Sequence, residues 1–532
     1  MLRRLRYSKF FLTISAALGV FLFWWQVYPH ALSYQEQYQL FLWTTDYLRG
    51  ALAIPGGVAA WMGEMLVQFY YVPWLGALLL TLLFAALQLL VAFVMRREGN
   101  NGWFISSFLV TVLLIWLMGD ESVLLAYHMA MAVALLAYAL AHDRWPWADI
   151  IVVPALYWII GPMAWLYVAL RLLGGGLRCL WLPVLLLAVQ LAAYYWLLPE
   201  WQLYSVFTGR VYYRIPLHTP TLMWVIPVAV VALTLLARLT HRRWMWACEA
   251  LALLLLAAWP MRQAYNKDKY SLIELDYLVR NQQWDRIIQS ATQYQVPTPF
   301  SSVCVNLALA QKRQLADRMF DFYQNGPDAL VMPRIRDLTS MLPSAEAFWH
   351  LGMVNSAQRY MFDTQESILN AKKSGRCTKR IAECMIVNGH YQNAAKQLAL
   401  LEKSLFYRSW AKEAKACLYN EAKVNAHPVW GRKRLLRYKD DFLFNYPRLD
   451  RMFATLFTDN KSNTMALDYL LAQMLLEGNL NDFVRNLGLA QRYGGYQSMP
   501  LVYQDVMNCV QTQGNAANSP YMNYVNRLRQ RQ

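Results

Sequence analysis

The first half of the chain places ionisable side chains beside long apolar runs, where charge is costly and therefore points to function. The candidates are Glu36, Asp46, Glu64, Asp120, Glu121, Arg210 and Arg214. A carboxylate can act as a general base or hold a divalent cation, and an arginine can bind phosphate. This combination suits transfer from a phosphate-linked donor, with Glu36, Asp46, Asp120 and Glu121 as catalytic candidates and Arg210 and Arg214 on the donor phosphate.

His128 lies seven residues beyond Glu121, two turns along the same helix face, and is a further candidate for donor-phosphate or lipid binding. Each candidate also has a plainer interpretation. An acid pair at the start of a helix can serve as its cap. A single histidine inside a helix commonly makes an interior hydrogen bond, and two arginines beside a membrane can bind lipid headgroups.

Hydropathy describes the elements that must position these residues. The chain is 57% hydrophobic and only 16% charged, and apolar runs of about 17 to 24 residues can cross a hydrocarbon core. Eight such segments fall near residues 10–28, 73–95, 103–119, 122–141, 150–173, 179–197, 221–238 and 245–261. The sequence therefore predicts an all-α transmembrane bundle over residues 1–264.

The orientation depends on the segment 150–173, which contains Gly161-Pro162. If it crosses once, Arg171 and Arg178 lie outside. If Gly161-Pro162 breaks it into two half-helices that return to the same side, these cations lie inside with Arg96, Arg97, Arg144 and the group 238–243. The positive-inside rule favours this re-entrant interpretation, with a cytoplasmic N-terminus and an extracytoplasmic, periplasmic C-terminal domain.

Three loops then face outward, at residues 29–72, 119–122 and 199–220. In the first loop, apolar residues recur at helical spacing over residues 34–48 and again over 58–69, after Pro55-Gly56. This pattern predicts two amphipathic helices on the membrane surface, joined by a turn.

Residues 265–512 have the charge and helical periodicity of a soluble domain, and residues 513–532 form a polar tail. Turns at 281–284, 388–391 and 477–480 each place an apolar residue directly after the turn. The middle turn, followed by Ala394 and Leu398, resembles the tetratricopeptide helix-turn-helix unit, and Leu351-Gly352 resembles a degenerate one. We therefore predict a tetratricopeptide-like α-solenoid, a surface typical of protein or peptide binding, although a helical domain without a partner remains an alternative.

The net charge of +17 comes mostly from residues flanking membrane segments and from solvated clusters, so it does not indicate nucleic acid. Membrane lipids are the expected partners of these cations. The seven cysteines lack the spacing of a zinc site. No cofactor is predicted, beyond a divalent cation if the protein is an enzyme.

The layout of the first half resembles the GT-C superfamily of polytopic glycosyltransferases, which use polyprenyl-phosphate sugars. Glu36 or Asp46 matches the family's first-loop acid, and Asp120 or Glu121 its second-loop acid. The first loop lacks an adjacent acidic pair, and no Trp-Trp-Asp-Tyr-Gly motif is present. The whole chain also resembles an uncharacterised group of bacterial envelope membrane proteins with a tetratricopeptide-like tail, and this resemblance implies a location in the inner membrane of a bacterium.

Two functions remain open. In one, the helical-repeat domain is a periplasmic protein-binding or assembly scaffold in the cell envelope. In the other, a GT-C-like enzyme transfers sugar from a polyprenyl-phosphate donor at the outer membrane face. Transport is a third possibility, but no line of charges runs through the spans.

Overall fold

A computed structural model gives an all-α chain, as the sequence predicts. It describes residues 2–530 except 101, 142–145, 216–217, 243, 336, 338, 370–371, 439–447 and 513–518. Arg144, assigned above to the inner face, and the start of the predicted polar tail lie outside the described residues. The chain forms two compact units, Met1–Lys267 and Asp268–Gln532.

The first unit is built from thirteen α-helices in its described residues. They are α1 Leu2–Leu22, α2 Pro29–Gln37, α3 Thr45–Leu52, α4 Gly57–Val67, α5 Pro73–Glu98, α6 Phe108–Met118, α7 Leu125–Leu140, α8 Asp149–Ile160, α9 Ala164–Gly175, α10 Trp181–Ala192, α11 Leu203–Thr208, α12 Leu222–Leu236 and α13 Met245–Ala264. No β-strand forms in the described part of the chain, where Val123 and Tyr213 make an isolated antiparallel bridge.

Four helical segments in the described residues are long and apolar enough to cross a membrane, fewer than the eight predicted. They are Lys9–Val27, Pro73–Glu98, Asp149–Cys179 and Met245–Ala264. The other predicted spans contain shorter apolar helices, such as Leu125–Leu140. At 1.5 Å per residue, a helix of 16 residues reaches about 24 Å, less than a ~30 Å hydrocarbon core. Runs of apolar residues overestimated helix length because turns interrupt them.

The third of these segments folds back on itself at Gly161-Pro162. Gly161 has φ 65° and ends α8, a backbone conformation that glycine adopts readily. Asp149 at the start of α8 pairs with Arg171 near the end of α9, at 2.9 Å. In one straight helix these residues would be about 33 Å apart. The predicted break is therefore confirmed: α8 and α9 are the arms of a helical hairpin.

Arginines bind carbonyl groups at the open end of the α8–α9 hairpin, where Asp149 pairs with Arg171. Arg97 donates to the carbonyl groups of Tyr138 and Ala141, just past the end of α7. Arg238 donates to the carbonyl of Leu173 in α9, at 2.6 Å. Arg97 of α5, Arg171 of α9 and Arg238, just after α12, thus lie at one end of the bundle, which we call the basic end.

The first loop differs from its prediction. Helix α2 ends at Gln37, and α3 begins only at Thr45, capped by the Thr44 side chain, so residues 34–48 are not one helix. Residues 32–41 are all buried, including Gln35 and Gln37, and do not form a surface helix. Only the short α3, with no buried residue, has the surface exposure that the sequence predicts.

The second unit contains pairs of helices joined by short turns. Its described helices are α14 Lys267–Arg280, α15 Trp284–Gln293, α16 Pro299–Gln311, α17 Leu315–Arg318, α18 Met341–Leu351, α19 Val354–Glu366, α20 Gly375–Val387, α21 Tyr391–Leu401, α22 Arg408–Lys415, α23 Glu421–Ala426, α24 Trp430–Leu436, α25 Leu449–Asp459, α26 Thr464–Leu476, α27 Leu480–Tyr493, α28 Leu501–Gln511 and α29 Pro520–Arg529.

Helices α16, α18, α20 and α26 are buried along most of their length, whereas α15, α21 and α27 bury one face.

The structure does not confirm a regular solenoid, in which each repeat contacts only its neighbours. Asn463 donates to the carbonyl of Leu351 at 2.8 Å, and the backbone of Leu501 donates to Asp317 at 2.9 Å. Helix α26 also packs on α16. The C-terminal helices thus return to the first helices of the unit, and α26 is buried on every side, including its polar residues Asp468 and Gln473.

Candidate functional site

The three predicted outward loops meet at the end of the first unit opposite the basic end, which we call the loop end. The second and third loops join there at the isolated bridge between Val123 and Tyr213. The backbone of Arg214 donates to Ser122 at 2.8 Å, and that of Leu124 donates to Tyr212 at 2.9 Å. The second and third loops are thereby fixed side by side, 90 residues apart in sequence.

The hairpin tip reaches the same place. Gly56 donates its amide hydrogen to the carbonyl of Trp158 at 2.9 Å, and its Cα lies against Gly161. The hydroxyl of Tyr212 donates to the Ile160 carbonyl and accepts from the Met163 amide. Loop one, loop three and the hairpin tip thus converge, because glycines allow close backbone approach.

Asp120 lies at the junction of the loops as a hydrogen-bond acceptor. It receives the Tyr213 hydroxyl at 2.8 Å and the Ser122 amide at 2.9 Å. Burial, followed by the bond to Asp120, raises the pKa of Tyr213, so this phenol remains a donor at neutral pH. Glu121, half-buried, belongs to the same turn. The structure therefore joins the second-loop acids to the third loop.

Arg214 is the most unusual residue of the site. Only 4% of it is exposed, and its guanidinium carbon lies 4.8 Å from the ring centre of Tyr38 and 5.8 Å from that of Tyr34. Neither Nη1 nor Nη2 has a hydrogen-bond partner among the described residues. A buried charge without such partners is expensive. Hydrogen bonds from the two Nη atoms to an anion would offset this cost.

Glu36 is also buried, near the end of α2. Tyr34 lies in the same helix and Tyr38 follows directly after its last residue, and the centres of the two rings are 5.1 Å apart. Arg214 therefore meets the first loop through its aromatic rings. Asp46, in contrast, is 88% exposed and pairs with Arg49 three residues later.

The remaining candidates are dispersed. Arg210 lies over the ring of Trp201, 5.2 Å from its centre. His128 is completely buried and stacks on Phe84 with 5.5 Å between ring centres. Glu64 accepts the hydroxyl of Tyr47. Among the described residues, no three His, Cys, Asp or Glu side chains lie together as a metal site.

Sequence reasoning missed an apolar cavity of 340 Å³ in the first unit. It lies between the hairpin tip, the third loop and α12. Tyr127, Pro162, Met163, Trp165, Leu166, Ala169, Thr208, Tyr212, Thr219, Met223, Trp224, Pro227, Val228 and Val231 line it. The contributing segments are far apart in sequence, so no local pattern could have indicated it.

The second unit repeats one turn geometry five times. Gln282, Arg313, Gly352, Gly389 and Gly478 all have positive φ. In each turn the next residue donates its amide hydrogen to a carbonyl five residues earlier, at 2.7–2.9 Å, which is the Schellman arrangement that ends a helix. The sequence indicated four of these turns and missed the one at Arg313, because an arginine there gives no sign of a left-handed backbone.

Fold and site thus define a class of protein. It is an all-helical chain with an apolar bundle, a buried arginine at the loop end and a second unit of helix pairs. The chain belongs to a family of unknown function, DUF6057, whose model matches residues 3–529. That match includes both units of the chain. Neither the curated proteins nor the solved structures contain a match.

Proposed function

We propose that this protein is a multi-pass protein of a bacterial inner membrane that binds a phosphate-bearing ligand between its loops. The observation that carries the proposal is Arg214, buried with neither Nη atom hydrogen-bonded to a described residue. A planar guanidinium binds phosphate oxygens through two parallel hydrogen bonds. The aromatic rings of Tyr34 and Tyr38 hold it in place without occupying those donors.

Charge distribution supports an orientation. Arg97, Arg171 and Arg238 lie at the basic end. The positive-inside rule favours a cytoplasmic location for that end. The loop end then faces the periplasm. Tyr265, which donates to the Ile115 carbonyl near the end of α6, leaves the bundle there, so the second unit begins in the periplasm.

The orientation has a direct test. A periplasm-active reporter fused after Lys269 should be active, and a reporter that folds only in the cytoplasm should be inactive at the same position. The opposite result would place the loop end in the cytoplasm.

Phosphate binding is testable with the full chain in detergent. We expect inorganic phosphate, at constant ionic strength, to raise the thermal midpoint of the wild type but not of Arg214→Gln. Arg49→Gln, at an exposed arginine of α3, is the control and should respond like the wild type. Equal responses of wild type and Arg214→Gln would contradict the proposal.

Sugar transfer from a polyprenyl-phosphate donor is the enzymatic form of this proposal. Asp120 and Glu121 are its best-supported acids, because their turn is bonded to the segment that carries Arg214. We expect Asp120→Asn or Glu121→Gln, expressed at the wild-type level, to change surface glycans. Normal glycans in both variants and in Glu36→Gln would eliminate a GT-C-like activity while leaving phosphate binding intact.

A second candidate function is a protein-binding scaffold. It is favoured by the five turns of the same backbone geometry in the second unit. Repeated helix pairs of this tetratricopeptide-like kind present side chains of neighbouring pairs on a common surface. Deleting residues 268–532 should then abolish co-purifying partners while the bundle still inserts. Full function of the truncated chain would exclude the scaffold.

A further inference from the structure

The cavity at the hairpin tip is apolar because its polar lining groups are already bonded within the protein. The Tyr127 hydroxyl donates to the Met223 carbonyl at 2.9 Å, and the Tyr212 hydroxyl donates to the Ile160 carbonyl. Thr208 donates to a backbone carbonyl at 3.0 Å. A water molecule needs two to four polar partners, and these three hydroxyl groups have already donated their hydrogens to backbone carbonyls. The interior therefore favours a hydrocarbon occupant.

The mouth of the cavity is also apolar. Trp224 and Val228, both on its lining, are 45% and 66% exposed on the outer face of α12. Helix α12 packs on α9, so the opening lies beside the contact of two apolar helices. In a membrane, such a face meets lipid chains, and a chain can enter sideways without crossing water.

The cavity and the buried arginine are neighbours along the chain. Tyr212 lines the cavity, and Arg214 follows two residues later, after Tyr213, which pairs with Val123 in an isolated bridge. Two residues of chain span at most about 7 Å. A molecule with its apolar part in the cavity can therefore place a headgroup near the guanidinium.

We infer that the cavity holds the hydrocarbon chain of a phosphate-headed lipid whose phosphate binds Arg214. This inference rests on the proposed phosphate binding and adds the substrate class. The cavity volume of 340 Å³ lies at the lower end of the range of about 300–1,000 Å³ for ligand pockets. The cavity has room for one segment of a hydrocarbon chain, and the rest of that chain remains in the bilayer.

Photo-crosslinking in lipid nanodiscs tests the inference with the full chain. One arm uses phosphatidic acid with a diazirine in its acyl chain, and the other uses a prenyl monophosphate with the same group, which distinguishes the two chain sources. We expect peptides of α9 and α12 to carry the label. Val231→Trp fills the cavity and should reduce that labelling about tenfold. Val225→Trp, on an exposed face of α12 outside the lining, should leave it unchanged.

The outcomes separate the inference from the proposed function. Unchanged labelling in Val231→Trp, or equal labelling of every lipid-facing helix, would overturn the cavity assignment even if phosphate still protects the wild type. Equal labelling by diacylglycerol, which lacks phosphate, would overturn the assignment of the headgroup to Arg214. Both the proposed phosphate binding and the cavity assignment are supported if Arg214→Gln loses labelling by the two phosphate-headed probes. Diacylglycerol should then label the wild type and the variant only weakly.

Discussion

The carboxylate of Asp149 accepts hydrogen bonds from Nε and Nη2 of Arg171, at 3.0 and 2.9 Å, across the base of the α8–α9 hairpin. Both side chains are less than 5% exposed, and Tyr167 donates a further bond to the same carboxylate. The pair joins residues that lie 22 positions apart in sequence, so it holds the two arms at their ends while Gly161 turns the chain between them.

Removing one member of this pair should destabilise the protein strongly. Arg171→Met or Asp149→Leu leaves a buried charge uncompensated, at a cost of about 3–5 kcal/mol. The double variant should recover most of that loss, because neither charge remains buried. Unfolding of the detergent-solubilised chain measures the effect. The exposed pair Asp46–Arg49 is the control, and its removal should cost less than about 1 kcal/mol.

Arg214→Met should behave differently from Arg171→Met, although both arginines are buried to the same degree. The substitution loses the ring contacts of Arg214, worth about 1–2 kcal/mol. It also removes a buried charge whose penalty is several kcal/mol. We expect the ligand-free variant to be at least as stable as the wild type in the same unfolding assay. A loss as large as that of Arg171→Met would indicate a structural salt bridge.

Lys433 should make stability depend on pH. Burial, then Arg380 and Arg432, lowers its pKa to about 7, while Glu346 and Glu383 oppose the shift. An unfolded lysine titrates near 10.5, so between these values the unfolded chain binds the proton that the folded chain has released. Stability therefore rises with pH over that window.

Lys433→Met should remove this dependence. Between about pH 7 and 9, the wild type should gain roughly 1–3 kcal/mol relative to the variant. Thermal unfolding at several pH values compares the two, and parallel curves would show that Lys433 titrates normally.

The repeated turn can be tested with two glycines that both face open space. Gly389 has φ 79°, so Gly389→Ala should cost about 1–2 kcal/mol through its left-handed backbone. Gly488 lies within α27, where Gly488→Ala should stabilise by about 0.5–1 kcal/mol. Hydrogen exchange of the flanking helices can follow both effects, and equal signs would contradict the turn assignment.

Periodicity and composition were sufficient for much of the architecture. They gave an all-α chain, apolar helices before residue 265, the interruption at Gly161-Pro162 and four of the five turns. These features depend on residues close in sequence, because helices, turns and breaks arise from local backbone preferences and the spacing of apolar side chains.

Helix length was the main error in the first unit. Hydropathy counted continuous apolar runs and did not register the 3-10 turn at Ile105–Ser107. It predicted a turn at 119–122, but α6 ends at Met118 and α7 begins only at Leu125. The first loop was mistaken for a surface feature because its polar residues Gln35, Glu36 and Gln37 gave no sign of burial. Their environment comes from other helices, which a window of sequence does not contain.

The sequence alone determined which residue types were available: acids in the first two loops, arginines in the third, and a glycine able to reverse a helix. Only the tertiary structure decided that Arg214 lies on Tyr38, that Asp120 is bonded to Tyr213, and that a cavity forms between α9 and α12. Those contacts join segments about 90 to 175 residues apart or enclose space between helices. They depend on how the helices pack, which local periodicity does not specify.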